Sequence, residues 1–125
     1  MKCLLDTCVL LWVLEENTPK LKDFLPIIMN PQNQMFVSLA TYWEIAIKRK
    51  LGRISFKSDI DLAALINESG FLWLSIETRH IDALHTLPLI HHDPFDRLLL
   101  AQSKVDGLDL LTADEKILRY KEVEA

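Results

Sequence analysis

The sequence predicts an α/β fold with a central, mostly parallel β-sheet, and two observations support this. Apolar runs of strand length alternate with amphipathic stretches of helical length, which is the pattern of successive βαβ units. Turn-forming residues and glycines fall between these segments, where strands and helices should end. We therefore expect parallel strands that are connected by helices.

The first two predicted strands enclose two helices. The apolar run at 2–5 predicts a buried strand, and the apolar stretch at 9–15 predicts the helix that follows it. A second helix is expected at 20–29, where it ends in turn chemistry at 30–33. The next apolar run predicts the second strand at 35–38.

Glycines mark the ends of the next two helices. These helices are predicted at 40–51, before Gly52, and at 60–69, before Gly70. An apolar run directly after Gly70 predicts the third strand at 71–76.

The C-terminal part continues the alternation. Helices are expected at 77–84 and 95–105, and the second of them stops near Gly107. A strand at 108–111 and a helix at 115–120 complete the predicted elements.

Length and composition predict one domain that spans residues 1–125, because half of the residues are hydrophobic and the chain is short for two cores. No apolar run approaches the roughly 20 residues of a membrane span, and the N-terminus lacks the features of a signal peptide. Two cysteines, Cys3 and Cys8, exclude a disulfide framework and lack the spacing of a zinc site. We therefore expect a cytoplasmic protein.

The formal net charge of −4 argues mildly against a nucleic-acid partner, since phosphate binding favours a basic surface. Cations at the end of the helix at 40–51 would complement the helix dipole, which is the simpler use of most basic residues there. A phosphate-binding edge is the alternative. The basic residues of this stretch are Lys48, Arg49, Lys50, Arg53 and Lys57.

Two acids each follow a predicted strand and precede a helix: Asp6 after the first strand and Asp114 after the last. Such an acid can cap the helix, or it can lie at the carboxyl edge of the sheet, where ligands bind in open α/β folds. Capping explains each acid separately. It does not explain why two parallel strands deliver acids to the same edge.

The role of Glu44 depends on where the helix at 40–51 begins. If Thr41 is the N-cap, Thr41 and Glu44 form a capping box and the acid is structural. If Ser38 is the N-cap, Glu44 lies too deep to cap and is a lone carboxylate on a mostly apolar helix, which is costly without a cation. We favour the second alternative, because Ser38 ends an apolar run and is itself a good cap.

Asp93 and Asp96 lie at the start of the helix at 95–105. Asp93 precedes Pro94, which is the arrangement of an N-cap followed by a first helical proline, so we expect Asp93 to be mainly structural. Asp96 falls in the first turn, where the helix dipole favours an acid and the carboxylate can also point towards the sheet edge.

A cluster of Asp6, Glu44, Asp96 and Asp114 would be stable as anions only around a cation, because the carboxylates repel one another. Oxygen ligands without histidine or cysteine select hard divalent ions, Mg²⁺ or Mn²⁺ rather than zinc. Attack of a metal-activated water on a phosphodiester is the natural chemistry of such a site.

The acids and their flanking residues resemble those of PIN-domain ribonucleases, specifically the VapC-type toxins of prokaryotic toxin–antitoxin pairs. The resemblance covers essentially the whole chain, and four acids in order make it specific. It rests on Leu4-Leu5-Asp6-Thr7, Trp43-Glu44-Ile45-Ala46, Asp93-Pro94-Phe95-Asp96-Arg97-Leu98-Leu99 and Leu111-Thr112-Ala113-Asp114.

The resemblance implies a three-layer α/β/α sandwich and a Mg²⁺- or Mn²⁺-dependent endonuclease that cleaves RNA. It implies Asp6, Asp96 and Glu44 as catalytic metal ligands, and Asp114 either as a ligand or as an acid that acts through water. Thr112 resembles the hydroxyl residue of the family near that site.

Asp93 matches a residue common in this subgroup, although its place before Pro94 makes a helix cap the better interpretation. The resemblance also implies a homodimer and a VapB-like antitoxin partner that places a basic side chain near the acids.

The four histidines could indicate a metal site or a general base. They do not share a helical face, so we expect them to be solvated or to cap helices. They are His80, His85, His91 and His92.

The alternative function is a non-catalytic RNA- or protein-binding module on the same scaffold, which the acidic net charge and the lack of an obvious basic groove favour.

Overall fold

The computed structural model describes residues 1–54 and 60–124 of the chain. The strands in this part are β1 (Lys2–Leu5), β2 (Gln34–Ser38), β3 (Leu72–Leu74) and β4 (Asp109–Leu111). The α-helices are α1 (Thr7–Leu14), α2 (Thr18–Leu21), α3 (Leu25–Ile28), α4 (Leu39–Lys50), α5 (Leu62–Glu68), α6 (Thr78–Asp82), α7 (Pro94–Asp106) and α8 (Glu115–Glu124). A turn of 3-10 helix at Ala83–Thr86 follows α6.

The strands form one sheet in the order β3-β2-β1-β4, and each of the three strand pairs is parallel. Side chains alternate between the faces of a strand. Cys3 and Leu5 therefore pack in one apolar cluster, which α1 and α5 complete, and Leu4 packs in a second cluster with α7 and α8. Helices cover both faces of the sheet, which confirms the predicted α/β/α arrangement.

Local side-chain chemistry explains where the two longest helices begin. The Ser38 hydroxyl accepts a hydrogen bond from the Ala40 N–H at 3.0 Å, so α4 starts directly after β2. This excludes the alternative in which Thr41 caps α4. Asp93 caps α7 as predicted, and Gly107 ends that helix in the left-handed conformation, with φ of 65°.

The prediction of one helix at 20–29 was wrong. The chain forms two short helices there, α2 and α3, with residues 22–24 between them. Pro26 is the physical reason, because it has no N–H to donate to the Lys22 carbonyl and its ring would crowd that carbonyl. Pro26 is instead accommodated in the first turn of α3.

The basic stretch begins in the last turn of α4. One of its residues, Arg49, forms a hydrogen bond within the chain. Arg49 Nη2 donates to the backbone oxygen of Ile60 at 3.3 Å. Lys57 lies outside the described residues.

In the part of the chain that the structure describes, no helix has the length and apolar character needed to cross a membrane.

Candidate metal centre

The parallel pairing of β1 with β4 brings Asp6 next to Thr112. Leu5 is paired with Leu111, and the Asp6 N–H donates to the Leu111 oxygen at 3.1 Å. Asp6 is only 3% exposed, and this burial raises the pKa of its carboxyl, although hydrogen bonds from the Thr112 hydroxyl and the Val9 N–H oppose the rise. Asp6 also caps α1, because its Oδ1 accepts from the Val9 N–H at 2.7 Å. It therefore serves as a helix cap and lies in the acid cluster.

Glu44 lies on α4, is 7% exposed, and has a partner at each oxygen. The Thr7 hydroxyl donates to Oε1 at 2.6 Å, and Lys48 Nζ lies 2.9 Å from Oε2. Lys48 follows Glu44 by one helical turn, so α4 supplies both the buried carboxylate and the cation that compensates it.

Asp93 and Asp96 have different roles at the start of α7. Asp93 Oδ1 accepts the N–H groups of Phe95 at 2.8 Å and of Asp96 at 3.2 Å, which is the predicted cap. The Asp96 side chain makes no such contact with the backbone in the described residues. Burial, together with the charge of Asp93, raises the pKa of Asp96 to about 6.

Asp114 is the most exposed of the four acids, with 41% of its side chain accessible. Its Oδ1 caps α8 by accepting from the Lys116 N–H at 2.8 Å and the Ile117 N–H at 3.1 Å. The Thr112 hydroxyl accepts from the Asp114 N–H at 3.0 Å. Thr112 thus bonds to both acids at the β1–β4 edge.

The four predicted acids open onto one pocket of about 260 Å³. Asp6 and Asp114 come from the ends of β1 and β4, whereas Glu44 and Asp96 come from helices on either side of them. The pocket is lined by Asp6, Thr7, Cys8, Trp12, Glu44, Lys48, Asp93, Asp96, Ala113 and Asp114. The carboxylates are oxygen donors, which suit Mg²⁺ or Mn²⁺.

The expectation that the histidines are solvated or cap helices was wrong for His91. This residue is 8% exposed, and its Nε2 lies 2.8 Å from Asp96 Oδ2 and 3.8 Å from Asp114 Oδ2. The expectation was correct for His80, whose ring is part of the capping box of α6.

Thr7, Lys48 and His91 have side chains that contact the acids, and the sequence did not predict them as site residues. Two of them carried a local signal, since Thr7 follows Asp6 directly and Lys48 is four residues after Glu44 on the same helix. His91 carried none, because its contact with Asp96 depends on the path of the loop before α7.

The chain matches a known protein family and several solved structures. The PIN domain family model matches residues 3–123. No curated protein matches the chain significantly. Among solved structures, the chain is similar to a toxin-antitoxin complex from Klebsiella pneumoniae, with 21% sequence identity and a TM-score of 0.58, over 93% of this chain and 89% of that chain. At this identity the likeness concerns the fold alone.

Proposed function

Because the chain belongs to the PIN-domain family, whose members are generally nucleases, we propose that it is a Mg²⁺- or Mn²⁺-dependent endoribonuclease and the toxin of a toxin–antitoxin pair. The activity would be hydrolysis of RNA phosphodiester bonds. The proposal rests on one observation above all, which is the convergence of four carboxylates on a single pocket.

The residues of this pocket fit a divalent cation. Asp6 and Asp96 both have a raised pKa, chiefly because burial disfavours their anions. A bound cation would relieve this cost, since it stabilises the charged form of each carboxylate. Among the described residues that line the pocket, Lys48 is the basic one, and it is occupied by Glu44.

Each side chain has a role in this proposal. Asp6, Asp96 and Glu44 would hold the metal, and Asp114 would act as a further ligand or through water. When bound, the metal would lower the pKa of a coordinated water and stabilise charge on the phosphate. Thr112 holds Asp6 through a hydrogen bond to its carboxylate.

The proposed partners follow from the acidic pocket and from the family. A basic antitoxin side chain would be attracted to the carboxylates, and the structural neighbour is by its own description a toxin-antitoxin complex. We further propose a homodimer in the cytoplasm, organised as one domain over residues 1–125. Growth arrest on expression of the chain alone, relieved by a short protein encoded by a neighbouring gene, would support the toxin role.

RNA cleavage tests the proposed activity. Purified wild type, Asp6→Asn and Asp96→Asn are incubated with a panel of RNAs and Mg²⁺ or Mn²⁺, and we expect each variant to lose cleavage by about 100-fold or more. Asp61→Asn is the matched control, because Asp61 caps α5 through the same three-residue hydrogen bond, to the Ala64 N–H at 3.1 Å.

Melting temperatures decide how a loss of activity is interpreted. Asparagine caps a helix as well as aspartate does, so Asp6→Asn should unfold within a few degrees of wild type. Equal cleavage by wild type and both acid variants would contradict the proposal. Wild type that binds RNA and never cleaves it would instead identify a binding module.

A further inference from the structure

The imidazole of His91 has a defined tautomer. Its Nδ1 accepts a hydrogen bond from the Asp93 N–H at 3.2 Å, so this nitrogen carries a lone pair and no proton. A neutral imidazole has one proton, which must then be on Nε2. The helix cap Asp93 thus uses its backbone to orient His91 while its side chain starts α7.

The protonated Nε2 atom faces two carboxylates and is shielded from solvent. It lies 2.8 Å from Asp96 Oδ2 and 3.8 Å from Asp114 Oδ2. The direction of its N–H does not meet either oxygen, so among the described residues Nε2 is a buried polar atom without a hydrogen-bond partner. Such an atom is costly, and a rotation of the Asp96 carboxylate that brings Oδ2 onto the N–H direction would satisfy it.

The loop that carries His91 is anchored independently of the acids. The Tyr120 hydroxyl accepts the N–H groups of Ile90 and His91, at 3.1 and 2.9 Å. Arg97 Nη1 donates to the His91 oxygen at 3.3 Å and to the Pro88 oxygen at 3.1 Å. The imidazole is therefore held in place before any ligand enters the pocket.

The distances alone would also suit a mixed metal site, since one ligand atom from each of His91, Asp96 and Asp114 lies within 4.8 Å of the others. The tautomer argues against it, because an Nε2 that carries a proton has no lone pair to give to a cation. The role that remains for Nε2 is that of a hydrogen-bond donor to the carboxylates.

We propose that His91 is a positioning residue of the acidic site, whose Nε2–H donates to Asp96 Oδ2 and so presents the other oxygen of Asp96 to the divalent cation. This inference rests on the proposed metal dependence. It adds a residue that acts through Asp96 and does not itself touch metal or substrate. Partners of this kind orient a ligand before the metal arrives.

Two conservative variants separate this role from a merely structural one. His91→Asn can keep an acceptor at the place of Nδ1, towards the Asp93 N–H, but has no donor at the place of Nε2. His91→Gln can bring an amide donor to the place of Nε2. His92→Leu changes the exposed neighbouring histidine and is the matched control.

Calorimetric titration with Mn²⁺ in the absence of RNA is the measurement, with the melting temperature of each metal-free variant recorded beside it. We expect His91→Asn to weaken Mn²⁺ binding about 10-fold or more, His91→Gln to remain within about threefold of wild type, and His92→Leu to be unchanged. A structural role in the loop predicts the opposite order, because only asparagine keeps the bond to Asp93.

The outcomes distinguish this inference from the proposed function. Wild-type affinity in folded His91→Asn overturns the positioning role and leaves the metal site intact. If His91→Asn does not fold, His91→Gln decides, since a 10-fold weakening of Mn²⁺ binding in that variant overturns the donor role and favours a structural role of His91 in the loop. Absence of Mn²⁺ binding by wild type overturns both.

Discussion

Lys48 Nζ lies 2.9 Å from Glu44 Oε2, so a carboxylate proposed as a metal ligand is already paired with a cation of its own helix. The other oxygen of Glu44 accepts the Thr7 hydroxyl at 2.6 Å. A divalent ion that binds Glu44 must therefore compete with the lysine, and its own charge is repelled by the ammonium group.

Lys48→Gln should increase the affinity for Mn²⁺. Removing the positive charge of Lys48 lowers the electrostatic repulsion of the bound ion by about 1 kcal/mol in a well-screened pocket. This corresponds to about a fivefold lower dissociation constant. Calorimetric titration without RNA measures this. Lys50→Gln, at an exposed position of the same helix, controls for the change in net charge. Unchanged or weaker binding of Mn²⁺ by Lys48→Gln would refute the competition between Lys48 and the metal ion.

The stability of the metal-free protein should fall as pH rises from about 4 to about 7. Burial raises the pKa of Asp96 to about 6 from the ordinary 3.8, so the folded state holds a proton that the unfolded chain releases, and folding is favoured at the acidic end. Asp96→Asn should remove this part of the pH dependence of stability. At pH 7 its free energy of unfolding should exceed that of wild type by about 1 to 3 kcal/mol.

Denaturant unfolding in EDTA at several pH values tests the Asp96 prediction. Saturating Mn²⁺ should flatten the wild-type dependence, because a bound cation favours the carboxylate at every pH. Parallel pH profiles of wild type and Asp96→Asn in EDTA would count against it.

Arg97→Lys should destabilise the protein by about 2 to 4 kcal/mol. The guanidinium is partly buried and donates to the Leu84 oxygen, to the Tyr120 hydroxyl and to the loop before α7. One ammonium group cannot replace these bonds in the same geometry. Denaturant unfolding measures the loss.

Arg79→Lys is the matched control for Arg97→Lys. Arg79 pairs with Asp106 at 3.2 Å, but 57% of its side chain is exposed, so the change should cost less than about 0.5 kcal/mol. Similar losses in the two variants would show that the loop anchors contribute little.

The native protein should react with one equivalent of a disulfide reagent such as DTNB. Cys3 is buried in the sheet, whereas Cys8 is exposed and lines the pocket. Although Cys8 is accessible, desolvation within the pocket and the nearby Asp6 charge raise the pKa of its thiol, so the reaction should be slower than that of free cysteine. Cys8→Ser should abolish it, and two reacting thiols in the native state would contradict the burial of Cys3.

Local patterns predicted those parts of the site that local structure determines. Asp6 and Asp114 could be placed together because the carboxyl ends of parallel strands meet at one edge. Ser38 was enough to decide the start of α4 and hence the depth of Glu44. The single helix predicted at 20–29 is wrong because Pro26 interrupts the helical periodicity of that stretch.

His91 could not be found in this way. Spacing on helices gives no information about His91, because this residue lies in a loop whose path depends on Tyr120, about one quarter of the chain away. Its pairing with Asp96 exists only in the folded protein. Sequence patterns report such tertiary contacts poorly, because no periodicity encodes them.

The pairing of β4 with β1 also determines when the acidic pocket can exist during translation. Asp6 is synthesised long before its neighbour Thr112, which follows β4, and Leu5 pairs with Leu111. A nascent chain that ends before β4 therefore contains Asp6, Glu44 and Asp96 without the edge that joins them to Asp114. The pocket is therefore complete only after β4 has been synthesised and has docked beside β1.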